Sequence, residues 1–122
     1  MEKRRFCQIG ATLSVLGAGL ILAGCRRLPP SKPLSELTAT EMRGHEVFQL
    51  RCAVCHSANT EKPLHGPGLQ AMFKKPYLPS GAPANDERVT ATILHGRNMM
   101  PAFGDELDDR QLQDLLAYLH TL

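Results

Sequence analysis

Cys52, Cys55 and His56 stand in the pattern Cys52-Ala53-Val54-Cys55-His56. Two thiols three positions apart lie about one helical turn from each other, so each can add across a vinyl group on the same edge of one porphyrin. The next residue then projects an imidazole toward the iron. This is the attachment pattern for a c-type haem, with His56 as a metal ligand. Paired cysteines of this spacing also occur in redox disulfides and as half of a zinc site. Here no second Cys pair follows and no βαβ pattern surrounds the first. Cysteine use along the chain agrees with haem: Cys7 falls inside an export signal, Cys25 at its end, and Cys52 and Cys55 are left for the two vinyl groups.

Other residues of chemical interest lie downstream. Gly66-Pro67-Gly68 has the composition of a turn. Met99 and Met100, just before Pro101, offer two thioethers, either of which can instead fill a gap in a core. His45, His65, His95 and His120 are further potential iron ligands, and only His65 and His95 sit in segments expected to approach a haem. Leu69, Phe103 and Leu116 are apolar candidates for its lining.

The elements that must position these residues occupy one domain, because 122 residues leave room for no more. Met1 to Arg5 is basic and Ile9 to Ala23 is uncharged and apolar, as in a signal peptide over residues 1–24. The run ends in Leu22-Ala23-Gly24-Cys25, which resembles a lipoprotein lipobox, with Cys25 as the lipidated residue. An uncleaved membrane helix is the alternative. After position 24 the chain holds 11 basic and 11 acidic residues, so the net charge of +2 belongs to the signal. A neutral domain has no general attraction for phosphate, and nucleic acid is not an expected partner. Fewer than a hundred residues also make a meagre core, which a large apolar group would complete.

Residues 25–37 carry Pro29, Pro30 and Pro33 with little apolar periodicity and read as a proline-rich, semi-extended tether. Regular structure is expected from about Thr38, with Thr40 capping a helix that starts at Glu41 and turns Val47, Phe48 and Leu50 inward. The segment from Pro63 to Pro83 has too many prolines and glycines for a long helix or central strand. Asn85 is placed to cap a second helix through Val89, Ile93 and Leu94, stopped by Gly96. Asp108 and Gln111 form a capping box for a third, whose Leu112, Leu115, Leu116 and Leu119 fall on one stripe. No strand alternation is visible, and the fold class is all-α.

Four stretches in order then resemble the class I cytochromes c, over residues 38–122. They are "GHEVFQLRCAVCH", "HGPGL", "GRNMMPAFG" and "LAYLHTL". The resemblance implies three to five helices wrapped around one covalently attached haem c, bound through Cys52 and Cys55. It also implies that Gly44 and Phe48 meet the last helix near Tyr118, that the Pro67 carbonyl accepts from His56 Nδ1, and that Met100 is the second axial ligand.

Histidine and methionine together would close both axial positions, which suits an electron carrier rather than an enzyme. The expected protein is a membrane-tethered monohaem cytochrome that is exported, periplasmic or at the outer face of the cytoplasmic membrane. It would pass single electrons between a donor and an acceptor redox protein. Lys62, Lys74 and Lys75 on one side, and Asp105, Glu106, Asp108, Asp109 and Asp114 on the other, suggest a dipole that steers docking. Arg97 is a candidate partner for a haem propionate. A haem subunit of a larger dehydrogenase or oxidase, and a haem sensor or peroxidase with a displaceable distal ligand, are the alternatives.

Overall fold

The computed structural model describes residues 28–122. The expected signal peptide and the lipobox cysteine, Cys25, lie outside the described residues. Among the described residues three α-helices form the frame: α1 (Ala39–Arg51), α2 (Asp86–His95) and α3 (Asp109–Leu119). The described residues form no strand, only isolated bridges at Tyr77–Pro83 and Arg97–Met100.

Each helix begins where a side chain can accept an otherwise unpaired backbone N–H. Asn85 accepts from Arg88 N at 3.0 Å, and Asp108 accepts from Gln111 N at 2.7 Å while Gln111 accepts from Asp108 N at 3.1 Å. α1 starts earlier than the Thr40 cap expected from the sequence. Thr38 is its cap, because only Thr38 lies three residues before Glu41: its hydroxyl accepts from Glu41 N, and the Glu41 carboxylate accepts from Thr38 N at 2.6 Å. That spacing is what a reciprocal capping box requires.

α1 packs chiefly on α3, and α2 touches α3 lightly. Gly44 and Phe48 of α1 meet Asp114, Leu115 and Tyr118 of α3, with the Phe48 and Tyr118 rings 5.5 Å apart. Phe48, Leu115 and Leu122 are fully buried, each worth roughly 1.5–3 kcal/mol of transfer free energy. Leu50, expected to share the Phe48 face, is 81% exposed. At 100° per residue it points about 200° away from Phe48, toward solvent.

Asp114 is also not on the surface, as the steering-dipole reading placed it. It is buried under α1 and takes a two-point contact from Arg43, Nε to Oδ2 at 2.7 Å and Nη2 to Oδ1 at 2.9 Å. Glu106 likewise reaches across to Arg51 at 2.9 Å. The acidic side therefore carries less free charge than a count of residues suggests.

The Arg43 guanidinium holds the Asp114 carboxyl below the usual carboxylate range, and the Lys32 ammonium with the Thr38 N–H does the same for Glu41. A depressed folded pKa stabilises the fold above the unfolded value, about 4, and that contribution disappears as pH falls through the folded value. The midpoint of thermal unfolding is thus expected to be level above about pH 5 and to fall below about pH 4. Asp114→Asn should flatten the acid limb in a pH series of melts; an unchanged limb would remove Asp114 as its source.

Pro63 to Pro83 is mostly irregular, with one 3-10 turn at Met72–Lys74 entered through Ala71 at φ 55°. Ahead of α1, a 3-10 turn covers Leu34–Glu36. The same segment is attached to the domain, since Lys32 N donates to Thr121 O at 2.8 Å and Lys32 Nζ pairs with Glu41 at 2.7 Å.

Candidate functional site

α1 ends at the first cysteine. The Cys52 N–H closes on Phe48 O at 2.8 Å, and Cys55 N and His56 N then both fold back on Cys52 O, at 3.0 and 2.9 Å. This turn sets Cys52, Cys55 and His56 on consecutive corners, all half-buried and with both thiols free. Burial, and then the neighbouring Cys55, push the Cys52 thiol up to about 11. A redox-active pair needs the opposite, a thiol pulled down toward neutrality. Cys52 is therefore a poor attacking thiol for thiol–disulfide exchange.

The loop from Leu64 to Leu69 is laced to that turn. Gly66 N donates to Cys55 O at 2.8 Å and Leu69 N to Ser57 O at 2.8 Å, with Pro67 between them. His56 Nδ1 donates to the Pro67 carbonyl at 2.9 Å. With Nδ1 so engaged, Nε2 is the nitrogen left to bind a metal, and the ring orientation is fixed. Two glycines make the approach possible. A Cβ at Gly66 would lie 2.5 Å from His56 Cε1 and 2.9 Å from Nδ1, and one at Gly68 would overlap the Thr60 carbonyl.

Sequence reasoning took these glycines for turn formers and missed that Gly66 makes room for the imidazole. The only signal was its place beside Pro67. Gly66→Ala is expected to displace the His56 ring and to weaken iron binding on the order of tenfold. Its signature is a shift of the His56 ring resonances in the haem-attached protein; unchanged resonances would contradict it.

Met100 is held by another tight turn. Arg97 N donates to Met100 O at 3.0 Å and Met100 N to Arg97 O at 2.9 Å, with Asn98 between at φ 53°. Asparagine tolerates that left-handed conformation better than most residues, so Asn98 is itself a signal of the turn in the sequence. Gly96, at φ 72°, ends α2 and passes so close beneath that a Cβ would lie 2.6 Å from Met100 O. Phe103 N and Gly104 N then satisfy the last carbonyls of α2, Ile93 O at 2.9 Å and Leu94 O at 3.1 Å. Met100 is half-buried against the core together with Leu69, Phe103 and Leu116, whereas Met99 is 86% exposed.

The other histidines are engaged elsewhere or face water. His45 contacts Gln49 at 3.2 Å and stands edge-on to Tyr118. His120 stacks on Phe73 with ring centroids 3.9 Å apart and reaches Asp86 at 2.6 Å. His65, His95 and Arg97 are exposed. Of Lys62, Lys74 and Lys75, Lys75 pairs with Glu61 at 2.7 Å and Lys74 donates to Leu122 O at 3.0 Å.

The donor set fits a covalently held haem. It has two unpaired thiols one turn apart, an imidazole with Nδ1 engaged and Nε2 left to bind a metal, a glycine leaving that ring space, and a thioether among apolar side chains.

Comparison with known proteins agrees. The family model described as cytochrome c oxidase, cbb3-type, subunit III matches residues 39–119. A cytochrome c6 from Diacronema lutheri is 32% identical over 62% of this chain and 88% of its own length. One from Bryopsis maxima is 35% identical over 62% of this chain and 84% of its own. The cytochrome bc1 complex cytochrome c subunit of Mycobacterium leprae is 31% identical over 93% of this chain, which spans only 37% of that protein. Among solved structures, cytochrome c6 from the diatom Phaeodactylum tricornutum matches 66% of this chain and 90% of its own, at 28% identity and a TM-score of 0.48. The chain belongs to the family matched over residues 39–119 and, with it, to the class I c-type cytochromes, all-α electron carriers with one covalently bound haem c.

Proposed function

We propose that this protein is a membrane-tethered carrier of single electrons outside the cytoplasmic membrane, with its iron held by His56 and Met100. The observation that carries the reading is the 2.9 Å hydrogen bond from His56 Nδ1 to Pro67 O, because it commits the imidazole to one tautomer and one direction. Haem, when bound, supplies a one-electron iron couple. Cys52 and Cys55 would hold it through their thiols, and His56 and Met100 would both bind its iron, which suits a carrier rather than an enzyme. Leu69, Phe103 and Leu116 keep water away. A thioether and an apolar surround favour the less charged reduced state, which places the potential above that of a bis-histidine site.

Export and lipidation at Cys25 rest on the basic, apolar and Leu-Ala-Gly-Cys order of residues 1–25. Among the described residues no helix is long and apolar enough to cross a membrane. The test is the visible spectrum of the oxidised, haem-attached protein. A weak long-wavelength sulfur-to-iron band supports methionine ligation; its absence means an open or histidine-bound distal side and overturns Met100 as the ligand, and carbon monoxide binding to the reduced protein without denaturant would overturn the carrier reading.

A second reading has support in the description of the matched family and in the name of one relative, both of which denote subunits. In it the protein is the haem subunit of such an assembly. Stoichiometric co-purification with a large catalytic subunit would favour it.

A further inference from the structure

The proline-rich segment is fastened to the domain at several points. Pro29 O accepts from Gln70 Nε2 at 3.3 Å, at the loop that leads to the Met72–Lys74 turn. Three residues on, Lys32 N donates to Thr121 O at 2.8 Å, just past the end of α3. The Lys32 side chain pairs with Glu41 of α1 at 2.7 Å. Leu37 packs on the core, and the Ser31 hydroxyl is buried. Pro29, Pro30 and Pro33 have little backbone freedom to lose, so holding them in place costs less entropy than it would for other residues.

We propose that residues 29–37 are a clasp of the domain and not a free spacer, so that an anchor at Cys25 holds the domain directly against the bilayer. The inference rests on the lipid-anchor reading above. Three residues lie between Cys25 and Pro29, and the span from one to the other reaches at most about 14 Å, whereas a spacer free as far as Thr38 would reach about 45 Å. The domain itself is about 30 Å across. A carrier held this way slides over the membrane but does not rise far from it. The partner it fits is a redox protein of the same membrane whose donor or acceptor group is carried low over the lipid surface.

The full chain, haem-attached and reconstituted on a supported bilayer, tests this with three readouts. Mass analysis reports the lipid on Cys25, hydrogen exchange reports the Lys32 amide, and neutron reflectometry reports the height of the protein layer. The clasp predicts exchange at Lys32 slowed at least about tenfold relative to an unstructured chain. It also predicts a compact layer against the headgroups that moves outward when a twelve-residue Gly-Ser spacer is inserted between Arg27 and Leu28. Lys32→Pro, which removes both the N–H and the ammonium, should broaden the layer. Unprotected exchange at Lys32, or a layer whose height ignores the spacer, overturns the inference. A chain without lipid on Cys25 removes the anchor reading and the bilayer half of the inference, while a protected Lys32 amide in the same sample still supports the clasp.

Discussion

Met100→Ala is expected to abolish the long-wavelength band, to lower the midpoint potential by on the order of 100 mV or more, and to let carbon monoxide bind the reduced protein without denaturant. Met99→Ala should do none of these. The two methionines are neighbours of the same type, so the contrast isolates position from chemistry. Met99 is 86% exposed at the apex of the Arg97–Met100 turn. Met100 is half-buried beside Leu69, Phe103 and Leu116, its backbone locked on both sides to Arg97.

A thioether is a soft, uncharged ligand that stabilises the reduced iron. Without it, water or a distant histidine would take its place and favour the oxidised state. Spectroelectrochemistry on both variants separates the outcomes. If Met99→Ala loses the band and Met100→Ala keeps it, the ligand is Met99 and the turn must rearrange when haem is attached. If the band is absent from the unsubstituted protein and neither variant changes it, methionine does not bind the iron, and sensing or peroxidase chemistry becomes the better reading.

What the sequence disclosed depended on how far apart the interacting residues lie along the chain. The caps at Asn85 and Asp108 involve side chains and backbone three residues apart, and they occur where the local pattern puts them. Two threonines compete for the start of α1, and the three-residue spacing to Glu41 singles out Thr38 over Thr40. The exposure of Leu50 was likewise available from helical geometry alone.

Asp114 is a different case. Nothing around it announces that it is buried, because its partner Arg43 lies 71 residues away. The role of Gly66 is intermediate: the glycine-proline-glycine sequence announces a turn, but not that the turn lies against the imidazole of His56. Residues 29–37 have a composition typical of linkers, and composition does not register the backbone bond from Lys32 to Thr121.

Gly44→Ala is expected to destabilise the haem-attached protein by about 2–3 kcal/mol, because the crossing of α1 and α3 has no room for a methyl group. A Cβ at this position would overlap the Asp114 carbonyl oxygen and lie 2.5 Å from its carbon and 2.8 Å from Tyr118 Cβ. Two of the three obstacles are backbone atoms, which cannot swing aside as a flexible side chain can. Alanine is the better helix former by about 1 kcal/mol, yet it gains this only if the helices move apart. Separation would strain the Arg43–Asp114 contact and loosen the packing of Phe48 on Tyr118.

A drop in melting temperature of roughly 10 °C or more follows for a domain of this size. Glu46→Ala, on the exposed side of the same helix, should shift stability by less than about 0.5 kcal/mol. If Gly44→Ala melts at or above the unsubstituted protein, the helices do not approach as closely as the structure has them. The effect should also reach the site, since α1 runs straight into the turn at Cys52 and any displacement of the helix carries Cys55 and His56 with it.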